Sequence, residues 1–214
     1  MKIGILGSGQ VAQTLGAGFL RHAHEAMLGS RSPEKLSGWR EKNPKGRAGS
    51  FAEAARFGEI VVLAVKGLGA ADTIRAADPA GLAGKIVIDT TNPIADAPPV
   101  GGVLKYFTTL DDSLMERLQR EFPKIRFVKA FNSAGNASMV NPEFKGGRPS
   151  MFYCGDDESA KQEVRKIIEL FGWEAEDAGP AAAARAIEPL CMLWCIRGFT
   201  EDKWTHAFKL LRQN

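Results

Sequence analysis

Three small residues near the start of the chain have the spacing of a phosphate-binding turn. Gly7, Gly9 and Ala12 form the pattern G-x-G-x-x-A between the apolar run 3–6 and a helical pattern that begins near Gln10. In such a pattern the first glycine makes a tight turn, the second lets a pyrophosphate approach the backbone, and the small third residue lets the helix pack closely on the sheet. The phosphates then meet unpaired N–H groups at the helix N-terminus. The residues predicted to hold a dinucleotide here are Gly7, Ser8, Gly9, Gln10 and Val11.

The residues after the second strand pattern, 26–29, indicate which dinucleotide is bound. An NAD site usually has Asp or Glu about 20 residues past the glycines, to bind the ribose 2′-hydroxyl. This chain has no carboxylate there; it has Ser30 and Arg31, with Lys35 four residues on. An arginine fork supplies the donors and the positive charge that a 2′-phosphate needs. Ser30, Arg31 and Lys35 therefore predict NADP(H) rather than NAD(H).

A second interpretation treats Arg31 as a solvated loop charge. Ser32 would then be the N-cap of a helix and Pro33 its first residue. The two interpretations are compatible, because a capped helix would bring its N-terminus to the same phosphate.

The elements that must position these residues follow from the apolar runs. Residues 60–65 form a continuous apolar run of strand length, and the mostly apolar stretches 85–89 and 125–131 repeat the pattern, with helical patterns between them. Continuous apolar runs are typical of parallel strands covered on both faces, and their alternation with helices predicts an α/β fold, a Rossmann-type doubly wound parallel sheet. Ligands bind at the carboxyl ends of such strands. The residues at those ends that we predict to contact a cofactor are Val65, Lys66, Thr91, Asn92, Ala130 and Asn132.

Three of these residues have a second interpretation. Lys66 suits an anionic ligand, and it equally suits a solvated loop. Asn92 and Asn132 would either hydrogen-bond a bound ligand or stabilise the turns that follow the strands.

The chain changes character after residue 150. Residues 1–150 are predicted to form the nucleotide-binding domain, and residues 151–214 a small C-terminal extension, α/β and then helical, packed on that domain or continuous with it. In the extension we expect strands at 151–155 and 173–177, and helices at 156–170, 180–196 and 200–211. Trp204 and Phe208 would share one face of the last helix, which would suit a core or a homodimer surface.

The composition of the 214 residues is ordinary for a globular protein, with 44% hydrophobic residues and a formal net charge of +3. The basic residues are dispersed and no apolar run approaches membrane-spanning length, so neither a nucleic-acid nor a membrane partner is expected. A strand pattern begins at once, which leaves no room for a signal peptide, and three cysteines argue against a disulfide framework. The expectation is a cytoplasmic protein.

No catalytic side chain can be assigned from the sequence. The three histidines lie away from the predicted strand ends, and no paired carboxylates or nucleophile–base set can be assembled. Cys191 and Cys195 are one helical turn apart, but they fit buried core residues better than a metal site, because no other ligand types lie nearby. The long irregular stretch 95–109 carries Tyr106 and Phe107 and would suit a lid over a flat substrate.

Together these residues resemble the family of NADP oxidoreductases that work with the deazaflavin coenzyme F420, and the related cytoplasmic reductase domain of the STEAP metalloreductases. The resemblance rests on residues 7–11, on Gly29-Ser30-Arg31 with Lys35, and on the late block 154–159 followed by 177–180. It implies an NADP-dependent reductase that transfers a hydride between NADP(H) and a small-molecule, flavin-like acceptor such as F420, FMN or FAD, with the two cofactors supplying the chemistry.

The strand ends depart from that family at Lys66-Gly67, Thr91-Asn92-Pro93 and Phe131-Asn132-Ser133, so the identity of the acceptor does not carry over. Two other functions remain as alternatives. A β-hydroxyacid-type dehydrogenase would share the nucleotide half, but it needs a large helical domain with a catalytic lysine, for which about sixty residues are too few. A non-catalytic NADPH-binding redox sensor would explain the lack of an acid–base residue.

Overall fold

The computed structural model describes residues 1–213 and is built on a six-stranded parallel sheet. The strands are β1 (Lys2–Leu6), β2 (Glu25–Gly29), β3 (Arg47–Gly49), β4 (Ile60–Leu63), β5 (Ile86–Asp89) and β6 (Arg126–Lys129). Their order in the sheet is β3-β2-β1-β4-β5-β6. This is the strand order of a dinucleotide-binding doubly wound sheet, with its switch point between β1 and β4. The predicted Rossmann-type fold is confirmed.

Helices follow the strands in alternation. They are α1 (Gln10–Arg21), α2 (Ser37–Lys42), α3 (Phe51–Phe57), α4 (Ala70–Ala76), α5 (Pro79–Leu82), α6 (Leu114–Glu121), α7 (Glu158–Leu170) and α8 (Ala184–Glu201). Short 3₁₀ turns occupy Pro33–Leu36, Gly67–Gly69, Asn136–Ser138 and Ala181–Ala183. None of the helices within residues 1–213 combines the length and the apolar character that a membrane span requires.

The two faces of the sheet pack into two separate hydrophobic clusters. Ile5 and Val62 point to one cluster, which is completed by side chains of α1 and α7. Val61 and Leu63 point to the other cluster, together with side chains of α3, α4 and α6. Alternating residues of β4 are therefore buried on opposite faces, which explains why its sequence is continuously apolar.

The C-terminal part adds a two-stranded parallel sheet of β7 (Ser150–Tyr153) and β8 (Glu174–Asp177), joined through α7. Lys129 at the end of β6 and Cys154 after β7 exchange two backbone hydrogen bonds, of 2.9 and 3.2 Å. Val164 and Ile167 of α7 lie in the same cluster as Ile5. Residues on both sides of position 150 thus share one core, and the division into two units stays a prediction.

The predicted helix over 200–211 is wrong. Helix α8 extends to Glu201, the backbone reverses at Asp202 with φ of 51°, and residues 203–213 have no helical structure. The segment returns along β7, where the N–H of Ser150 donates to the carbonyl of Phe208 at 2.8 Å. Trp204 packs against Gly198, where a Cβ would lie 2.2 Å from its ring. Tertiary packing, not a helical face, thus accounts for the apolar spacing of Trp204 and Phe208.

An ion pair joins α6 to α8. The guanidinium of Arg185 donates to the Glu116 carboxylate, with Nη2 at 2.6 Å from Oε1. Glu116 also belongs to the capping box of α6, where it accepts from the N–H and the hydroxyl of Ser113. These donors, above all Arg185, lower the pKa of Glu116 to about 2.

We expect Glu116→Gln to lower the unfolding temperature at neutral pH. The unfolding temperature of this variant should also fall less than that of the wild type as the pH is lowered. The folded pKa of about 2 lies below the ordinary value of 4.5, so the carboxylate stabilises the fold above the ordinary pKa. That contribution is lost as the pH falls from about 5 to about 2, and the two proteins should converge there. Circular dichroism melts across this range measure the effect. Glu41→Gln, an exposed position on α2, is the control; parallel curves for wild type and Glu116→Gln would contradict the argument.

Candidate functional site

A cavity of about 730 Å³ opens at the carboxyl ends of β1, β2 and β4, and we call it the larger cavity. Ligand sites commonly have about this volume, and the position is the crevice at the switch point of the sheet. The predicted site residues that line it are Gly7, Ser8, Gly9, Gln10, Val11, Ser30, Arg31, Lys35, Val65 and Lys66.

The glycine turn at the base of the larger cavity has the expected geometry. Gly7 has φ of 149°, and a Cβ there would lie 2.1 Å from the carbonyl oxygen of Ala64, so a side chain is excluded. Gly9 is the N-cap of α1, and a Cβ at Gly9 would meet no atom within 4 Å. The space beside Gly9 is open, as a pyrophosphate lying against the backbone would require. The first turn of α1 carries no acidic side chain that would compete for its N–H groups.

Ser8, which follows β1, and Ser30, which follows β2, connect the glycine turn to the loop that carries Arg31. The N–H of Ser30 donates to the carbonyl of Gly49 at 2.9 Å, and its hydroxyl lies 3.4 Å from that of Ser8. Arg31 and Lys35 are exposed at the rim. Within residues 1–213, neither forms an ion pair with a carboxylate. Both cations are therefore available to an anionic ligand.

Ser32 occupies the N-cap position but does not cap. Its side chain accepts no hydrogen bond from the turn Pro33–Leu36, and its own N–H donates to the Ser30 hydroxyl at 3.1 Å. Ser32 instead lines the larger cavity, next to Arg31. The prediction that the Ser32 side chain caps a helix is wrong, because the segment begins with a 3₁₀ turn and the hydroxyl of Ser30 orders the loop.

The larger cavity is also lined by residues that are not among the predicted cofactor contacts. They are Ser32, Phe51, Ala64, Leu68, Gly69, Asp72, Thr73, Ala76 and Thr90. Asp72, Thr73 and Ala76 lie on one face of α4, directly after β4. Asp72 and Thr73 lie four and three residues before Ala76, which are the spacings that place side chains on one face of a helix. The signal in the sequence was therefore the pattern of α4 itself.

A smaller cavity of about 440 Å³ adjoins the larger one. Val11, Val65, Lys66, Leu68 and Thr90 line both cavities. The smaller cavity extends along the loop after β5, where it is lined by Gly67, Thr91, Asn92, Ile94, Ala95 and Asp96. The first residues of the predicted lid, 95–109, thus form one wall of it.

Two predicted contact residues line neither cavity. Ala130 is fully buried in the core, and Asn132 is 3% exposed. The side-chain amide of Asn132 donates to Oδ1 of Asn92 at 3.0 Å and to the carbonyl of Ile187 at 3.0 Å. The Asn92 amide in turn donates to the carbonyl of Asn132 at 2.9 Å. After β6 the backbone turns into the core at Phe131, where φ is 60°. Asn132 therefore lies on the buried side of Asn92 and holds it by hydrogen bonds.

Within residues 1–213 no group of three or more His, Cys, Asp or Glu side chains is placed to hold a metal ion. Cys191 is buried on α8, and Cys195 one turn later is half-buried. His206 stacks on Trp194 with ring centroids 5.0 Å apart. The two cavities thus offer a backbone cradle, basic side chains and small polar groups rather than a metal centre.

Comparison with known proteins agrees with this geometry. Residues 2–93 match the family model described as NADP oxidoreductase, coenzyme F420-dependent. The rat metalloreductase STEAP3 is 30% identical over 190 residues, which cover 88% of this chain. The chain spans only 36% of STEAP3.

Two solved structures are similar over most of their length. One is from Arthrobacter sp. FB24 and is described provisionally as an F420-dependent NADP-reductase; it is 31% identical, with a TM-score of 0.93 over 99% of this chain and 100% of its own. The hypothetical protein SMa0349 of Sinorhizobium meliloti is 25% identical, with a TM-score of 0.75 over 88% and 89% of the two chains. Because the Arthrobacter protein is 31% identical and is matched over its whole length, the chain belongs to the family of coenzyme F420-dependent NADP oxidoreductases.

Proposed function

We propose that the chain binds NADP(H) in the larger cavity and positions it to exchange a hydride with a flavin-like acceptor in the smaller one. The observation that carries the proposal is the continuity of the two cavities. The turn at Gly7 and Gly9 lies at one end with Arg31 and Lys35, neither of which forms an ion pair within residues 1–213, and the smaller cavity lies at the other end.

The residues of the larger cavity fit NADP(H). The open backbone at Gly9 and the first turn of α1 would hold the pyrophosphate. Arg31 and Lys35 would bind the 2′-phosphate, with the hydroxyl of Ser30 beside them. This orientation directs the nicotinamide toward Val65 and Thr90, which are shared with the smaller cavity. When bound, NADPH would supply the hydride and a flavin or deazaflavin would accept it.

The task of the protein in such a transfer is to orient two rings and to exclude other geometries. That task explains a site without an acid–base pair. Lys66 borders both cavities and is exposed, so its ammonium would attract an anionic acceptor such as F420, FMN or FAD. Homodimer formation and a cytoplasmic location stay predictions.

We expect Arg31→Ala to weaken NADPH selectively. A charge-assisted hydrogen bond contributes about 1.5–3 kcal/mol, so KM for NADPH should rise about ten- to a hundredfold. NADH lacks the 2′-phosphate, so its KM should stay nearly unchanged. Steady-state kinetics with both nucleotides measure the ratio of the two kcat/KM values.

Arg40→Ala is the matched control for this substitution, since Arg40 is also an exposed arginine but lies on α2 outside the larger cavity. It should change neither KM. A wild-type preference for NADH, or equal losses with both nucleotides in Arg31→Ala, would show that Arg31 does not bind a 2′-phosphate.

The acceptor is identified by offering FMN, FAD and F420 in turn and following the loss of NADPH absorbance. Turnover with one of them and a marked preference over NADH is the expected result. Tight NADPH binding without turnover on any acceptor would favour the non-catalytic redox sensor. Turnover on a hydroxy acid with NADP⁺, and on no flavin, would instead favour the β-hydroxyacid-type dehydrogenase.

A further inference from the structure

A buried cluster of charges lies behind the smaller cavity. The ammonium of Lys129, at the end of β6, is fully buried. It lies 2.6 Å from Oδ2 of Asp89 and 3.0 Å from Oε1 of Glu188, whose side chains are 0% and 2% exposed. Nζ also donates to the carbonyl of Thr91 at 2.8 Å. The proposed function uses none of these three charged side chains.

The carboxylates of the cluster are compensated in two ways. Oδ2 of Asp89 accepts no hydrogen bond within the described residues, and its negative charge faces the ammonium of Lys129. The carboxylate of Glu188 accepts from the N–H groups of Leu114 and Met115, each at 3.0 Å, in the first turn of α6. The positive end of that helix helps to balance the second carboxylate. Burial alone would lower the pKa of Lys129, but the charges of Asp89 and Glu188 outweigh it and raise that pKa above its ordinary value. Lys129 is therefore an ammonium.

Thr91 is the point at which the cluster meets the smaller cavity. Its carbonyl accepts from Lys129, and its N–H and hydroxyl donate to Oδ1 of Asp89 at 2.9 and 2.7 Å. Thr91 lines the smaller cavity together with its neighbours Thr90 and Asn92. Three hydrogen bonds to two charged side chains thus fix one residue of the cavity wall.

Asn92, the next residue in the wall of the smaller cavity, is also held in position by residues near the cluster. Asn132 holds Asn92 and donates to the carbonyl of Ile187, which directly precedes Glu188 in α8. The strand end that carries Lys129 continues into Phe131, whose left-handed backbone is disfavoured for a bulky residue. Such a conformation persists where the surroundings determine it strongly. Two loops of the acceptor side are therefore anchored to the cluster and to the start of α8.

We propose that Lys129 is a positioning residue for the acceptor: held between Asp89 and Glu188, it fixes Thr91 and with it the wall of the smaller cavity. The inference rests on the proposed function, which assigns the smaller cavity to the acceptor. Lys129 lines neither cavity, so it acts only through Thr91. Most of the larger cavity is bordered by residues that follow β1, β2 and β4. Thr90 is its contact with the loop after β5, and the N–H and hydroxyl of Thr90 donate to the carbonyl of Leu63 at 3.1 and 2.9 Å rather than to the cluster. NADPH binding should therefore be insensitive to Lys129.

The test begins with Lys129→Met, which keeps the apolar stem and removes the donor to Thr91. We expect kcat/KM for the acceptor to fall about tenfold to a hundredfold, since small displacements of positioning groups have effects of that size. The Kd for NADPH, from fluorescence titration, should stay within about twofold of wild type. Amide hydrogen exchange at residues 90–92 should be faster in the ligand-free variant.

A second variant separates positioning from stability, because Lys129→Met leaves two carboxylates without their cation. In Lys129→Met/Asp89→Asn one negative charge is removed, while the Asn oxygen can still accept from Thr91. This double variant should regain most of the lost unfolding temperature but keep the low kcat/KM and the fast exchange, because the Thr91 carbonyl still lacks its donor. If kcat/KM recovers together with stability, Lys129 is structural only and the proposal is overturned.

Lys85→Met is the matched control. Lys85 precedes the opposite end of β5, and its ammonium donates to the carbonyls of Ala55 and Gly58 at 2.7 and 2.9 Å, far along the strand from Thr91. It should lose stability without change in kcat/KM for the acceptor. A tenfold or greater loss of NADPH affinity in Lys129→Met, or unchanged exchange at residues 90–92, would overturn the proposal. The exchange measurement needs no turnover, so it decides the anchoring even if the wild type reduces no acceptor and the proposed function fails.

Discussion

The buried ammonium of Lys129 is the interaction on which the late half of the structure depends. It links the ends of β5 and β6 to α8 through Asp89 and Glu188, and Glu188 extends the link to the first turn of α6. An isolated buried charge is expensive, so each member of such a cluster requires the others. The cluster therefore couples the C-terminal helix to the strand ends of the sheet. Removing one partner would leave the remaining charges uncompensated, whereas the turn from Gly7 to Gln10 contains no charged residue.

The two cavities are built in different ways. The larger cavity is formed by short strand-to-helix connections that follow β1, β2 and β4, and its key features are backbone geometry and exposed cations. Only glycine fits at Gly7, because φ is positive there and the backbone lies too close to Ala64 for a side chain. The smaller cavity depends on contacts between residues that are far apart in the chain, such as Asn92 with Asn132 and Thr91 with Lys129.

Errors in the sequence-based predictions fall where tertiary contacts decide the outcome. The spacing of Trp204 and Phe208 predicts a helix over 200–211, yet the segment after Glu201 has no helical structure and is held beside β7 by backbone and hydroxyl hydrogen bonds of Ser150. Asn132 was expected to face a ligand because it follows a strand, but the turn at Phe131 directs it into the core. The sequence pattern does not mark Lys129 or Glu188 as partners. A charged residue in an apolar strand pattern gives no sign of its partner when that partner is some sixty residues away.

The parallel sheet, the tight turn at Gly7 and Gly9 and the position of Arg31 after β2 could be predicted from the sequence. These features are local: apolar runs, glycine spacing and the residue at a strand end are each set by neighbours within a few positions. Three features could not be predicted in this way: the smaller cavity adjoins the larger one, Asn132 donates to Asn92, and Lys129 donates to the carbonyl of Thr91. Such features need the packing of β5, β6 and α8 against one another, and a buried ion pair is specified by distances in space rather than by spacing along the chain.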